Sequence, residues 1–169
     1  MTAVEPVARD QFIQAMRQVA ASVTVVTTDG PAGRQGATVS AFSSLSADPP
    51  SVLICLRADS RIARAVTQNG RYCVNVLPED QADLAGRFAG AQDAHLTDRF
   101  QGVPLHDHGA GLPGACPALA GATAFHCDLG QRVAQGTHLI LIGHVTGISG
   151  GGAAPLAYMD GRFHRVRPH

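Results

Sequence analysis

Few side chains in this sequence have the types and spacing that chemistry demands, and the most suggestive of them are hydroxyls. Thr38, Ser40 and Ser44 alternate with Val39, Ala41 and Ser43, so a strand there offers hydroxyls on one face and packs the other. Taken alone, that pattern also fits an edge strand with a solvated polar face. Further on, Ser60-Arg61 heads a stretch of helical periodicity. A helix N-terminus that adds a hydroxyl and a guanidinium to its free N–H groups can hold a phosphate. Gly109-Ala110-Gly111-Leu112-Pro113-Gly114 has the spacing of the dinucleotide fingerprint. The context is wrong for it, because His106-Asp107-His108 replaces the apolar strand, and Pro113 and Pro117 sit where the helix should begin. A plain glycine loop is the better reading.

The 8 histidines raise the question of a metal. They are scattered, and His106-x-His108 has no second pair at ligand spacing, so His95, His106 and His108 read as solvated loop imidazoles and no metal site is expected. His138 and His164 differ. Each lies beside a glycine-containing turn at the edge of an expected strand. The 4 cysteines, Cys55, Cys73, Cys116 and Cys127, lack close C-x-x-C spacing, and Cys55 and Cys73 lie in apolar runs, which favours buried thiols in a reducing compartment. A Walker loop, a nucleophile elbow and an H-E-x-x-H helix are all missing from the sequence.

The elements that would position these groups are mostly strands. Phe12, Met16, Val19 and Ala20 recur at helical spacing, which predicts a short opening helix over residues 10–20. The β-branched run at residues 23–28 stops at Asp29-Gly30-Pro31, a strand entering a hairpin turn. Its partner is expected to run from about Gln35 to Ser46, ending at Asp48-Pro49-Pro50, where prolines stop ladder pairing. Residues 51–56 are apolar after Ser51 and read as a central strand. A helix follows, capped by Ser60 and ended by Asn69-Gly70; then come a strand at residues 72–77 and a second helix opened by Pro78-Glu79-Asp80. Residues 89–117 read as a long surface excursion. Two long strands, at residues 118–133 and 137–148, and a closing strand pair at residues 156–166 complete a mainly antiparallel barrel with short helices.

Composition narrows the function. The chain has 169 residues with Lys plus Arg and Asp plus Glu at 13 each, 45% hydrophobic and 15% charged residues, and 19 glycines. Such a length suits one domain over residues 1–169. Balanced charge argues against nucleic acid, which calls for a basic face. No apolar run reaches the roughly 18 residues of a membrane span, and the charged N-terminal stretch is unlike a signal peptide, so a cytoplasmic protein is expected.

In order along the chain, residues 22–28, residues 36–46, Asp48-Pro49-Pro50, Val74-Asn75-Val76-Leu77 and Gly161-Arg162-Phe163-His164 make the sequence resemble the short-chain flavin reductases. These are small proteins built on an FMN-binding split β-barrel. The resemblance spans Phe12 to Val166 and implies an NAD(P)H:flavin oxidoreductase, with FMN or FAD as flavin and NADH or NADPH as donor. It implies that Thr38, Val39, Ser40, Ala41 and Phe42 line the flavin ring and ribityl chain, that Cys55 and Leu56 back it, and that Ser60 and Arg61 meet its phosphate. Arg87 and Phe88 match the family's Arg-Phe near the flavin. The family's Gly-Asp-His turn, which helps hold NADH, falls on Gly136-Thr137-His138, where Thr137 offers a hydroxyl in place of the carboxylate. Gly161, Phe163 and His164 would flank the nicotinamide. Hydride transfer from nicotinamide to flavin requires no protein nucleophile, in keeping with the missing triad. A homodimer and a separate monooxygenase that receives the reduced flavin are further implied. Two other readings share this kind of barrel: a flavin-binding protein or electron carrier without reductase activity, and an oxidase of the pyridoxamine-phosphate type, for which 13 thinly spread basic residues are few.

Overall fold

The computed structural model describes residues 5–106 and 115–169, so the glycine motif at residues 109–114 and His108 lie outside the described residues. The elements are α1 (Arg9–Met16), β1 (Ala21–Ser22), β2 (Thr24–Thr28), β3 (Gln35–Val39), β4 (Phe42–Ala47), β5 (Pro50–Arg57), α2 (Arg61–Asn69), β6 (Arg71–Val76), α3 (Ala82–Phe88), β7 (Thr123–Gln135), β8 (His138–Ser149), β9 (Leu156–Met159) and β10 (Arg162–Arg165). Seven strands form one antiparallel sheet in the order β3-β2-β6-β7-β8-β5-β4, and β1-β9-β10 form a second. The edge strands β3 and β4 do not pair, yet only Ser40-Ala41 separates them in the chain. The large sheet therefore curls until its edges face each other, as the expected split barrel requires.

Two apolar clusters hold this shape. Val26, Val39, Ile54, Leu56, Tyr72 and Leu141 fill the barrel. Outside it, Val25, Leu77, Ala85, Phe88, Phe100 and Leu119 pack α3 and the following loop against the sheet. Asn75 joins the layers from a fully buried position: its amide donates to the Val25 carbonyl at 3.0 Å and its oxygen accepts from the Leu119 N–H at 2.8 Å. These bonds satisfy a polar group that would otherwise be costly to bury.

The structure changes several expectations. The single strand over residues 35–46 is broken at Ser40-Ala41. On β3 it is Ala37 and Val39 that face the barrel core, and on β4 it is Phe42, so the break resets the alternation. Asp48-Pro49-Pro50 does not end pairing. It turns a β4–β5 hairpin, with Pro50 as the first residue of β5 opposite Ala47, a position where proline's missing donor is tolerated. The second helix starts at Ala82, because Pro78 bridges Pro155 and the Glu79 N–H is bonded to Ala154. The strand expected from residue 118 starts at Thr123; the preceding residues instead bind Asn75 and Gln81 side chains. The opening helix stops at Met16 and buries none of its residues within the chain.

Cys73, Cys116 and Cys127 are buried, and Cys55 is half-buried. Burial drives the three buried thiols up, Cys127 to about 12. A protonated, enclosed thiol is a poor nucleophile, so brief alkylation of the native protein at about pH 8 is expected to modify Cys55 alone. Mass spectrometry of the adducts checks this, and prompt modification of Cys127 would contradict it.

Candidate functional site

Two clefts open along the strand pair that crosses from one sheet edge to the other. The first, about 390 Å³, lies between Gln35-Gly36-Ala37 of β3, Ser60-Arg61 at the start of α2, and the loop carrying Asp93, Asp98 and Arg99. The second, about 1000 Å³, is a wider apolar groove between Ser40-Ala41-Phe42, α1 and the β9–β10 turn. Ala37 and Ser40 are three residues apart, or about 10 Å of extended chain. One elongated ligand can reach both.

The head of α2 is built as expected. Ser60 is extended, and its hydroxyl accepts from the Ala63 N–H at 3.3 Å; Gly70 ends the helix with a φ of 71° that glycine tolerates. The first turn holds Arg61 and no acid, an unfavourable charge against the helix dipole unless an anion joins it. Among the described residues, Arg61 makes no ion pair, whereas Arg34 and Arg99 are paired with Asp98 and Asp93 at 2.8 and 2.5 Å. The hydrogen bond from Arg99 holds the Asp93 carboxyl below the usual carboxylate range, with a weaker pull from Arg61. Asp98 is held low by the Phe100 N–H and then by Arg34. Two of the three arginines are thus partly neutralised, and Arg61 is left to supply charge to a ligand. The donors suit a phosphate ester.

The groove suits a flat ring. Phe42 lies 5.8 Å from Phe125, and Tyr158 stacks edge-on with Phe163 at 5.6 Å. Asp160-Gly161 makes the tight β9–β10 turn, both residues at positive φ, 50° and 75°. His164 sits behind this turn, its Nε2 3.1 Å from the Met159 carbonyl. His138 heads β8 opposite Arg57, and its Nδ1 lies 3.0 Å from the Thr137 hydroxyl. The Ala58 N–H is bonded to the Thr137 carbonyl, and the Ser60 hydroxyl to the Arg57 carbonyl. His138 is therefore tied to the head of α2, and Gly161, Phe163 and His164 to the apolar groove, with β8 and β10 in different sheets.

Other expected residues fall one layer back. The Thr38 hydroxyl donates to the Ala85 carbonyl at 2.6 Å, and Val39 and Leu56 are in the barrel core. Cys55 alternates to the opposite face of β5 from Leu56. Phe88 is wholly buried and meets Phe100, a wall of the first cleft, edge-on at 5.0 Å. Arg87 donates to the Gln101 carbonyl. Sequence reasoning missed Arg34, Asp93, Asp98 and Arg99, and the only local sign of them was the Asp98-Arg99-Phe100 run within an otherwise aperiodic stretch. Among the described residues, no cluster of three metal-ligating side chains exists, and no helix is long and apolar enough to cross a membrane.

Residues 16–167 match the model of the flavin reductase like domain. The chain is 40% identical over 162 residues to the "FMN reductase (NADH) RutF" of Ancylobacter novellus, covering 95% of this chain and 86% of that protein. It is 36% identical to the 4-hydroxyphenylacetate 3-monooxygenase reductase component of Pseudomonas aeruginosa, covering 99% and 96%. Among solved structures, the NADH:FAD oxidoreductase SgcE6 of Streptomyces globisporus, in complex with NAD and FAD fragments, superposes with a TM-score of 0.84 at 29% identity, covering 99% of this chain and 98% of that one.

Proposed function

The chain belongs to the flavin reductase like family, and on that premise we propose that its two clefts form one site, the first holding the flavin phosphate and the second the flavin ring. The protein is an NADH-dependent flavin reductase that acts on FMN or FAD. The observation that carries the site reading is Arg61, a cation without an ion pair among the described residues, at a helix N-terminus facing a cleft that continues into an aromatic groove. When both are bound, flavin and nicotinamide supply the hydride chemistry themselves. The chain's part is geometric. Ser60, Arg61 and the α2 N–H groups anchor the phosphate, Ser40, Ala41 and Phe42 offer backbone and an aromatic edge to the ring, and Gly161 leaves room beside it. Holding two rings in contact replaces a bimolecular encounter, and this is where the acceleration comes from.

His138 lies toward the phosphate end, where it serves the dinucleotide's pyrophosphate, and His164 lies beside the nicotinamide. His164 contributes about one neutral hydrogen bond and His138 one to a charged group, so His164→Ala should raise the NADH requirement roughly twofold to tenfold and His138→Ala by about tenfold or more. Flavin affinity should hold, because separate elements grip the flavin. Anaerobic stopped-flow reduction of bound flavin measures both effects. Parental rates with parental NADH dependence in both variants would remove these assignments and favour a flavin-binding protein served by another donor.

The protein works as a homodimer in the cytoplasm and passes reduced flavin to a separate flavin-dependent monooxygenase. The dimer reading rests on α1 and the groove. Phe12, Met16 and Val19 are 55%, 48% and 53% exposed beside Tyr158, an apolar face that one chain leaves uncovered. Light scattering at micromolar concentration should give twice the 17.5 kDa chain mass; a stable monomer would contradict it. The 4 free thiols suit a reducing compartment.

A further inference from the structure

We propose that the part of the first cleft beyond Arg61 is a subsite for adenosine diphosphate, with the adenine stacked on Arg34, and that it makes FAD the tighter-binding flavin. This rests on the placement of the flavin phosphate at Ser60-Arg61. A phosphate displaces on the order of 100 Å³, a few waters' worth, and the cleft measures about 390 Å³. The remaining space is of nucleotide size and has its own lining. Arg34 is clamped there as a flat cation, its guanidinium 4.7 Å from the Phe100 ring centre and 2.8 Å from Asp98. Its side chain is 41% exposed and lines the cleft, so part of it is accessible to a ligand there. A guanidinium plane held rigid in this way is a stacking platform for a base.

The charges are ordered to match. Arg61 heads α2 and Arg34 precedes β3, so the two line different walls of the cleft. Arg61, which makes no ion pair among the described residues, and the N–H groups at the head of α2 suit the phosphates. Beside Arg34, the Asp98 carboxylate can accept from the exocyclic amine of adenine, and Leu96 adds apolar surface. FMN has nothing to place there.

Titration of the dimeric protein with FAD and with FMN, followed by flavin fluorescence, reads the subsite directly. The parent should bind FAD about tenfold tighter than FMN, the worth of one base-stacking contact. Arg34→Ala should abolish that margin, and so should Arg34→Lys, which keeps the charge and loses the plane. ADP alone should displace FAD from the parent. Equal parental affinities for FAD and FMN, or equal losses for both in the variants, would overturn the proposal. NADH carries the same moiety, so its KM with FMN as acceptor is measured as well. A rise there with FAD affinity unchanged would also overturn the proposal, giving the subsite to the nicotinamide dinucleotide. If riboflavin binds as tightly as FMN, it is the phosphate placement that fails, whatever Arg34 does.

Discussion

Arg61→Ala weakens FMN binding by about 1.5–3 kcal/mol, the worth of a hydrogen bond to a charged group, and leaves riboflavin nearly unchanged. The expectation follows from what Arg61 lacks in the free protein. Among the described residues it has no salt bridge to give up, and it occupies the positive end of α2, where its own charge is poorly placed. An incoming phosphate relieves that repulsion and gains the guanidinium, so its loss falls on the phosphorylated ligand alone. Titration of each flavin into parent and variant measures the difference. Equal losses for FMN and riboflavin would put the phosphate elsewhere.

Phe88→Ala lowers stability by about 3–5 kcal/mol, the cost of deleting a fully buried aromatic ring and leaving a cavity. Phe88 is 0% exposed, packs edge-on against Phe100, and lies so close to β3 that a Cβ on Gly36 would meet its ring at 2.6 Å. The sheet and the loop close around one ring, and nothing nearby can fill its place without moving β3. Phe100 also carries Arg34 and walls the first cleft, so the variant should lose flavin affinity along with its melting temperature. Chemical denaturation checks the magnitude, and a loss under about 1 kcal/mol would mean that the cluster repacks freely.

What was legible in the sequence is what neighbouring residues decide. Ser60 and Gly70 bracket α2 because a hydroxyl cap and a left-handed glycine act over one turn. The all-apolar run in β5 marks a strand paired on both sides. What escaped is decided at long range. The break at Ser40-Ala41 carries the chain from one edge of the curled sheet to the other, and alternation within residues 35–46 holds no trace of that curl. Pro78 was expected to open a helix, but Pro155 claims its backbone. The loop after α3 looked like surface chain, yet Arg99 donates to the Gly36 and Phe88 carbonyls and Arg34 reaches across to Asp98. Those partners lie far apart in sequence, and so does the chemistry they build. The cleft proposed for the flavin is thus half readable, from Ser60 and Arg61, and half hidden, in Arg34, Asp93 and Arg99.

Steady-state oxidation of NADH by the purified protein, with and without added FMN, FAD and riboflavin, tests the central claim most directly. The account predicts little oxidation without flavin and a saturable rise with FMN and FAD, and riboflavin should require a higher concentration because it brings no phosphate to Arg61. Binding of FMN or FAD with no flavin-dependent oxidation of NADH would contradict it and leave a flavin-binding protein without reductase activity.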